Sequence, residues 1–505
     1  MMSYIYIDSI GGLDTNDGKT PETAIKTISQ LSKIINDIEA GTNILFKRNC
    51  QFAGSFVMTK DGTADAPIII GAYGEGKMPV IRSIDGETPF LIHSEYVTIE
   101  NLEFTNPQGQ RCIYVESLRS GPHRGMTVRD CFFHDANLDM EWFTHDSGGV
   151  TFFANADEPN WFDGITVENN AFDRLARCAV YVYSSWTKRY DLQNWGNKNN
   201  YVNDDDGWFP SKNVIVRNNK FNSISGDSVV ISGCDGALVE YNTVANSRLF
   251  KRIDRRIHFA CLWAYCSSNC IFQYNEVYGN SSDYNSDDLQ AFDADLTCKN
   301  CIFQYNYSHD NAGGFILFCC YDKEHNGDTI NTIVRYNLSI NDGEEIVNGY
   351  VSRGIFTFTG EVNNSKIYNN TIYIAKPGVK LFWLADWCHK GASYDNVFSN
   401  NIFYAEPGAT PTHGIESIKG LTLDNNIFYN IDLPEDENIH INNAIVADPR
   451  FVNAGYEGRG LKMGEWYRLK EDSPALSGGL LIEDNGGKDY FGNETDGKFF
   501  GAFSK

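Results

Sequence analysis

The chain has 505 residues, of which 42% are hydrophobic and 13% aromatic, and its formal net charge is −24. So long a chain exceeds one ordinary globular core unless it is built from repeats that each bury a narrow interior. The charge excludes nucleic acid and anionic membrane as general partners, because both demand neutralisation by Lys and Arg, and no apolar run is long enough to span a membrane.

Residues 1–45 read as an N-terminal cap. They contain a strand, Tyr4–Ile7, a Gly/Asp-rich turn region and a helix expected over Glu22–Glu39, where Ile25, Ile28, Leu31, Ile34 and Ile35 follow helical spacing. Such a helix would keep the first coil's edge from pairing with other chains. No basic region followed by an apolar core precedes it. With 13 cysteines, many inside apolar strands (Cys131, Cys178, Cys234, Cys261, Cys270, Cys301, Cys319), this predicts a cytoplasmic protein, or a secreted one if a leader has been removed. The thiols read as small buried hydrophobes. Cys298 and Cys301 have CxxC spacing but lack a second pair at zinc-ribbon spacing.

Residues 46–431 repeat. Asn275, Asn306 and Asn337 are 31 residues apart, Asn370 follows after 33 and Asn401 after 31. A fixed period of this size marks a solenoid. The aligned positions are Leu102, Cys131, Asn170, Asn219, Asn242, Asn275, Asn306, Asn337, Asn370, Asn401 and Asn426, which predicts about 11 coils. Asparagine suits the position because it tolerates left-handed dihedrals and its amide both donates and accepts, so a ladder can satisfy buried turn groups. A strand precedes each ladder position, as at Val97–Ile99, Ile165–Val167 and Ile333–Arg335. A second family lies upstream, at Ile113–Val115, Val150–Phe153, Val180–Tyr183, Val229–Ile231, Cys261–Tyr265, Ala291–Asp295, Phe315–Phe318, Ile355–Phe358 and Leu381–Leu384. Insertions at 135–149 and 184–212 feed into this second family, and long loops on a rigid scaffold carry function. The latter holds Trp186, Tyr190, Trp195, Tyr201, Trp208 and Phe209, either a lid or a packed loop. From about Asp432 the period is lost, and 432–505 reads as an irregular C-terminal cap. One domain over 1–505 is expected.

Four segments carry a resemblance. They are the opening Tyr4–Gly18 with Thr20–Ile28, the run Asp61–Gly74, the asparagine ladder, and Asp472–Ala475 with Gly487–Asn493. Together they resemble the right-handed parallel β-helix superfamily of carbohydrate-active enzymes, the pectate-lyase-like group. The resemblance implies an all-β, right-handed parallel β-helix and a carbohydrate substrate lying in a groove along one parallel sheet. The motif sets of polygalacturonases and alginate epimerases are absent.

The second strand family is the candidate sheet. In Asp287–Asp295, Phe292 and Ala294 suit the interior, so Asp293 and Asp295 share the outer face, about 6.5–7 Å apart by strand rise. That is near the lower edge for the two carboxylates of an inverting glycosidase. Asp288 would be a third acid, and clustered acids raise one another's pKa. The rival readings are a solvated acidic row and a calcium site on Asp287, Asp288, Asp293 and Asp295; no cofactor is otherwise required. Trp263 and Tyr265 face outward if Leu262 and Ala264 point inward, and aromatic faces pack on sugar rings. Counting back from Asn275 and Asn306, however, aligns Trp263 with Ala294, so one face assignment gives way unless a bulge shifts the register. Arg255, Arg256 and His258 lie in the densest basic run and suit a carboxylated sugar or ion pairs with nearby acids. His309 and Asp310, then Glu345, Arg353 and Glu361, then Trp383, Asp386 and Trp387 complete the candidate substrate-binding set. The expected function is a glycoside hydrolase with Asp293 and Asp295 as acid and base and Asp288 assisting. The alternatives are a calcium-assisted polysaccharide lyase, with Arg255, Arg256 or Lys299 abstracting the proton, and a non-catalytic glycan-binding protein. The sequence leaves the oligomeric state open.

Overall fold

The computed structural model describes residues 3–138, 145–192, 207–248, 257–281, 286–320, 328–343, 354–385, 393–416 and 419–504. The fold is a right-handed parallel β-helix whose strands form three parallel sheets. The chain divides into two compact units, Met1–Thr187 with Asp205–Leu238, and Lys188–Asp204 with Val239–Lys505. Most coils contribute one strand to sheet A, then one to sheet B, then one to sheet C.

In the first unit, sheet A takes Ser3–Ile7, Thr42–Lys47, Ile68–Tyr73, Val97–Glu100, Gly121–Arg129, Asn160–Glu168 and Ser211–Arg217 in chain order. The first strand therefore belongs to the coils: Ser3–Ile7 pairs in parallel with Thr42–Lys47. The helix is Ile28–Ile34, shorter than the spacing predicts. Thr27 starts it by accepting the Gln30 N–H. Ahead of it, Ile25 bridges to Ile7, which holds that stretch in extended backbone. Inside the coils, Phe104, Phe133, Phe172 and Phe221 stack with centroids 5.0, 4.9 and 4.9 Å apart. The one-residue alternation of strands such as Val97–Glu100, buried then half-buried, is the periodicity a sheet with one solvated face requires.

In the second unit the ladder runs unbroken from Asn242 to Asn426. Asn275 donates from its N–H and Nδ2 to Asn306 Oδ1 at 3.0 and 3.1 Å, and Asn306 donates likewise to Asn337 at 2.9 and 3.0 Å. Asn306 Nδ2 also reaches the Phe272 carbonyl at 2.9 Å. The left-handed residue is not the ladder asparagine but the one before it. Tyr241, Tyr274, Tyr305 and Tyr336 have φ of 54°, 53°, 58° and 52°, and Asn369, Asn400 and Asn425 continue the series. A left-handed tyrosine costs roughly 1 kcal/mol. Stacking of Tyr241 on Tyr274 and of Tyr274 on Tyr305, both at 5.0 Å, offsets it.

Two residues thus make a whole corner, and the strand of sheet B begins at once: Glu276–Tyr278 after Asn275, Tyr307–His309 after Asn306, Leu338–Ile340 after Asn337. This third strand family is absent from the sequence reading, which ended each repeat at the asparagine. The C-terminal region also differs from the cap expected over 432–505. Ile439–Asn442 and Ile445–Val446 still pair in parallel with Leu421–Asp424 and Ile427–Tyr429. The remaining chain then runs back over earlier coils as a strap. Leu480 N–H donates to Asn400 Oδ1 at 2.8 Å and Asn369 Nδ2 to the Phe499 carbonyl at 2.7 Å. Tyr307 donates its phenol to the Gly458 carbonyl at 3.0 Å, and Gly460 N–H reaches Glu276 at 2.6 Å. Beneath it, Tyr307, Tyr373 and Tyr404 pack with Phe451, Tyr467 and Phe503.

Candidate functional site

In the second unit, sheet C runs Leu262–Tyr265, Phe292–Ala294, Ile316–Cys319, Phe356–Thr359, Lys380–Ala385 and Thr412–Ile415. Leu262, Ala264, Phe292, Ala294, Ile316 and Phe318 are fully buried and fill the interior. The alternate positions point outward. One row reads Trp263, Asp293, Leu317, Thr357 and Trp383 across consecutive strands. Further along each strand come Tyr265, Asp295, Cys319, Thr359 and Ala385. Neighbouring members of a row are about 4.8 Å apart. The outer face is itself covered: all four residues of Ile316–Cys319 and of Phe356–Thr359 are buried.

Trp263 therefore pairs with Asp293, and Ala264 with Ala294. The ladder count put Trp263 opposite Ala294 because the coil starting at Phe292 has one residue more before its ladder asparagine than the coil starting at Leu262. The turn that follows contains left-handed Thr297, φ 61°, and register is regained at Ile271 and Ile302.

Three acids gather here. Asp293 is 6% exposed and Asp288 9% exposed, while Asp295 is half-buried. Asp295 accepts the Leu296 N–H at 2.8 Å and a hydrogen bond from the Cys319 thiol. Burial, and after it the Asp288 charge, push its pKa up to about 7, against the pull of those hydrogen bonds and of His258. His258, exposed, stands 3.5 Å from Asp288. It is carried by Ile257–Phe259, which pairs in parallel with Ser286–Asp288. Asp288 and Leu289 are consecutive left-handed residues, φ 70° and 62°, each costing on the order of 1–3 kcal/mol.

At the other end of the row, Trp383 donates its indole N–H to Glu416 at 3.3 Å. Gly414 makes room for the ring, since a Cβ there would stand 2.6 Å from Trp383 Cδ1. The remaining candidates scatter. His309 lies on sheet B, 5% exposed, stacked on Tyr278 and Tyr307 and paired with Asp310 at 2.9 Å and Glu276 at 3.4 Å. There it helps hold the strap rather than joining the sheet C acids. Glu361 sits in a turn whose carbonyl accepts the Thr329 N–H. Lys299 bridges toward Ser268 and pairs with Asp191 at 3.2 Å, not with the outer-face acids. Arg255, Arg256, Glu345, Arg353, Asp386 and Trp387 lie outside the described residues, as does the side chain of Asp287. Of the 184–212 insertion, Trp186 and Arg189 pack inward. Trp186 is 4% exposed, edge-on to Phe209 at 5.5 Å, and Arg189 is buried and donates to the Thr297 carbonyl.

Among the described residues, no three His, Cys, Asp or Glu side chains form a group able to hold a metal ion.

The first unit carries a polar group that sequence reading passed over. On its own sheet C, Tyr114, Thr151 and Tyr181 form an outward row. Beside it Arg111 pairs with Asp146, and buried Asp227 pairs with both Arg177 and His145 at 3.0 Å. Burial, then the Arg177 charge, lower the His145 pKa. The 135–149 insertion pointed to this place, but nothing in the spacing joined His145 to Asp227, 82 positions away.

No protein-family model matches the chain. It is 25% identical over 98% of its length to the lacto-N-biosidase of Bifidobacterium longum subsp. longum, and spans 36% of that relative's length. The crystal structure of the GH136 lacto-N-biosidase from Eubacterium ramulus superimposes with a TM-score of 0.60 at 21% identity, covering 82% of this chain and 68% of that one. The structure of XylC with xylose gives 0.51 at 10% identity, covering 99% and 98%. Likeness at these identities shows the fold.

Proposed function

We propose that the chain is a glycoside hydrolase that cleaves an oligosaccharide by acid–base chemistry on the outer face of sheet C in the second unit. The observation that carries the reading is Asp295, an outward carboxyl with its pKa pushed up to about 7 beside the charge of Asp288. A glycosidic oxygen leaves poorly unless it is protonated. The enzyme therefore needs one carboxyl that keeps its proton at working pH and one that is ionised. Asp295 suits the first role and Asp288 the second. We pair Asp295 with Asp288 in place of the Asp293 expected from strand rise, because the Asp288 charge favours the protonated form of Asp295. Asp293, nearly buried between Trp263 and Leu317, is assigned to substrate hydroxyls. Trp263 and Trp383, 9% and 8% exposed, wall the two ends of the row. The similarity to a lacto-N-biosidase supports lacto-N-biose as the unit released.

The test is a panel of oligosaccharides with product masses read directly. Hydrolysis adds one water per bond cut; products without that water, or no product from any glycan, would sink the reading. Asp288→Asn and Asp295→Asn should each lower kcat by roughly 10²–10⁴-fold, Asp293→Asn should chiefly raise KM, and a chelator should leave turnover unchanged.

A further inference from the structure

We infer that Gly313 is a positioning residue: it leaves the space into which the Asp288–Leu289 main chain cranks, and that crank sets the Asp288 carboxylate 3.5 Å from His258 and within electrostatic reach of Asp295. The inference rests on the functional reading above, in that it explains how the two acids come together. Two consecutive left-handed residues without glycine, one of them leucine, persist only where the surroundings over-determine them. Here the surroundings are identifiable. Leu289 N–H is tied to the Phe259 carbonyl at 2.8 Å, and Cys261 N–H to the Gln290 carbonyl at 3.1 Å, so both sides of the crank are fixed to the preceding coil. From the following coil, Gly313 closes over it. A Cβ on Gly313 would stand 1.8 Å from the Asp288 carbonyl oxygen, 2.4 Å from the Leu289 carbonyl carbon and 2.7 Å from Gln290 N. All three are backbone atoms, which cannot swing aside. Gly313 does not itself adopt a left-handed φ, so alanine is excluded there by space alone.

The groups facing Asp295 are Asp288 and His258 from the cranked segment and its partner strand, Cys319 from the next coil, and Asp293 on its own strand. Of these, Asp288 favours the protonated form of Asp295 and His258 opposes it. Moving Asp288 outward removes the first effect and lowers the pH at which Asp295 gives up its proton.

The decisive measurement is the titration of Asp295, followed by isotope-edited carboxyl spectroscopy on the full chain, alongside the pH–rate profile. Gly313→Ala is expected to move the Asp295 midpoint to lower pH, to shift the alkaline limb of kcat with it, and to reduce kcat by about 100-fold, the scale of a misplaced group. Asp288→Asn should move the midpoint the same way, and the double variant should move it no further than either alone. A wild-type midpoint in Gly313→Ala, or additive shifts in the double variant, overturns the proposal. If Gly313→Ala does not fold, an unmoved midpoint in Asp288→Asn overturns it equally. Midpoints that move as expected in a protein that hydrolyses no glycan would keep the positioning role and discard the hydrolase reading.

Discussion

At the scale of single residues, this helix places acids where water is scarce and lets the neighbours decide their charge. Asp342 shows the same physics as Asp295 in a purely structural setting. It stands in a second ladder, where Asn280 N–H donates to Asn311 Oδ1 and Asn311 donates from its N–H and Nδ2 to Asp342 Oδ1 at 3.1 and 2.9 Å. Ser339 donates to its other oxygen at 2.7 Å. Burial nevertheless pushes its pKa up to about 6, against those hydrogen bonds. The folded pKa lies above the unfolded value near 3.8, so ionisation favours the unfolded chain. The stability contributed by protonated Asp342 is present in full below pH 3.8 and is lost as the pH rises through 6. Asp342→Asn, which can extend the ladder without a charge, should therefore raise Tm above pH 6 and leave it unchanged below pH 3.8, as scanning calorimetry across that range would show. A gain confined to acid pH would contradict the assignment.

At the scale of the element, the corner between sheets A and B is the unit of construction. Each ladder asparagine pairs with the coil before and the coil after, so removing one amide strands groups on both sides. Asn306→Ala would leave the Asn275 N–H, the Phe272 carbonyl and the Asn337 amide oxygen short of partners. We expect a loss of about 3 kcal/mol in denaturant unfolding, against little change for an exposed asparagine such as Asn438. This corner was legible in the sequence because stacked coils demand an amide at a fixed interval, here 31 residues for most of the ladder. It did not reveal that the preceding residue carries the left-handed backbone, since tyrosine is an improbable choice there until its stacking partners one coil away are seen. The strands of sheet B were missed for a related reason. Three residues such as Tyr307–His309 are too short to show a period of two. The outer-face row of Trp263 and Asp293 was read correctly from alternation within each strand, whereas counting from the ladder failed, because a turn can absorb a residue without disturbing either sheet. The acids of Asp287–Asp295 were legible in the sequence, but the crank that carries Asp288 lies under Gly313, a residue with no local signature.

At the scale of the whole chain, the strap is the feature that sequence could not supply. Many of its anchors are main-chain groups, the carbonyls of Gly458, Asp484, Gly497 and Phe499 and the N–H of Gly460, and any sequence offers those. The strap nonetheless covers Tyr307, Tyr373 and Tyr404, and its own Phe451, Tyr467 and Phe503 complete that apolar cluster. A chain ending at residue 446 keeps every strand of the three sheets but uncovers those tyrosines. It should lose cooperative unfolding and bind a hydrophobic dye, and a soluble truncated chain with an unchanged melting transition would refute a structural role for the strap.

The strap also sets a clock on synthesis. Glu276 meets its partner only when Gly460 has been made, 184 residues later. At ribosomal speeds of about 5–20 residues per second that is roughly 10–40 s. Through that interval the nascent coils present an uncovered aromatic face, at the stage when other unfinished copies on the same message are nearest.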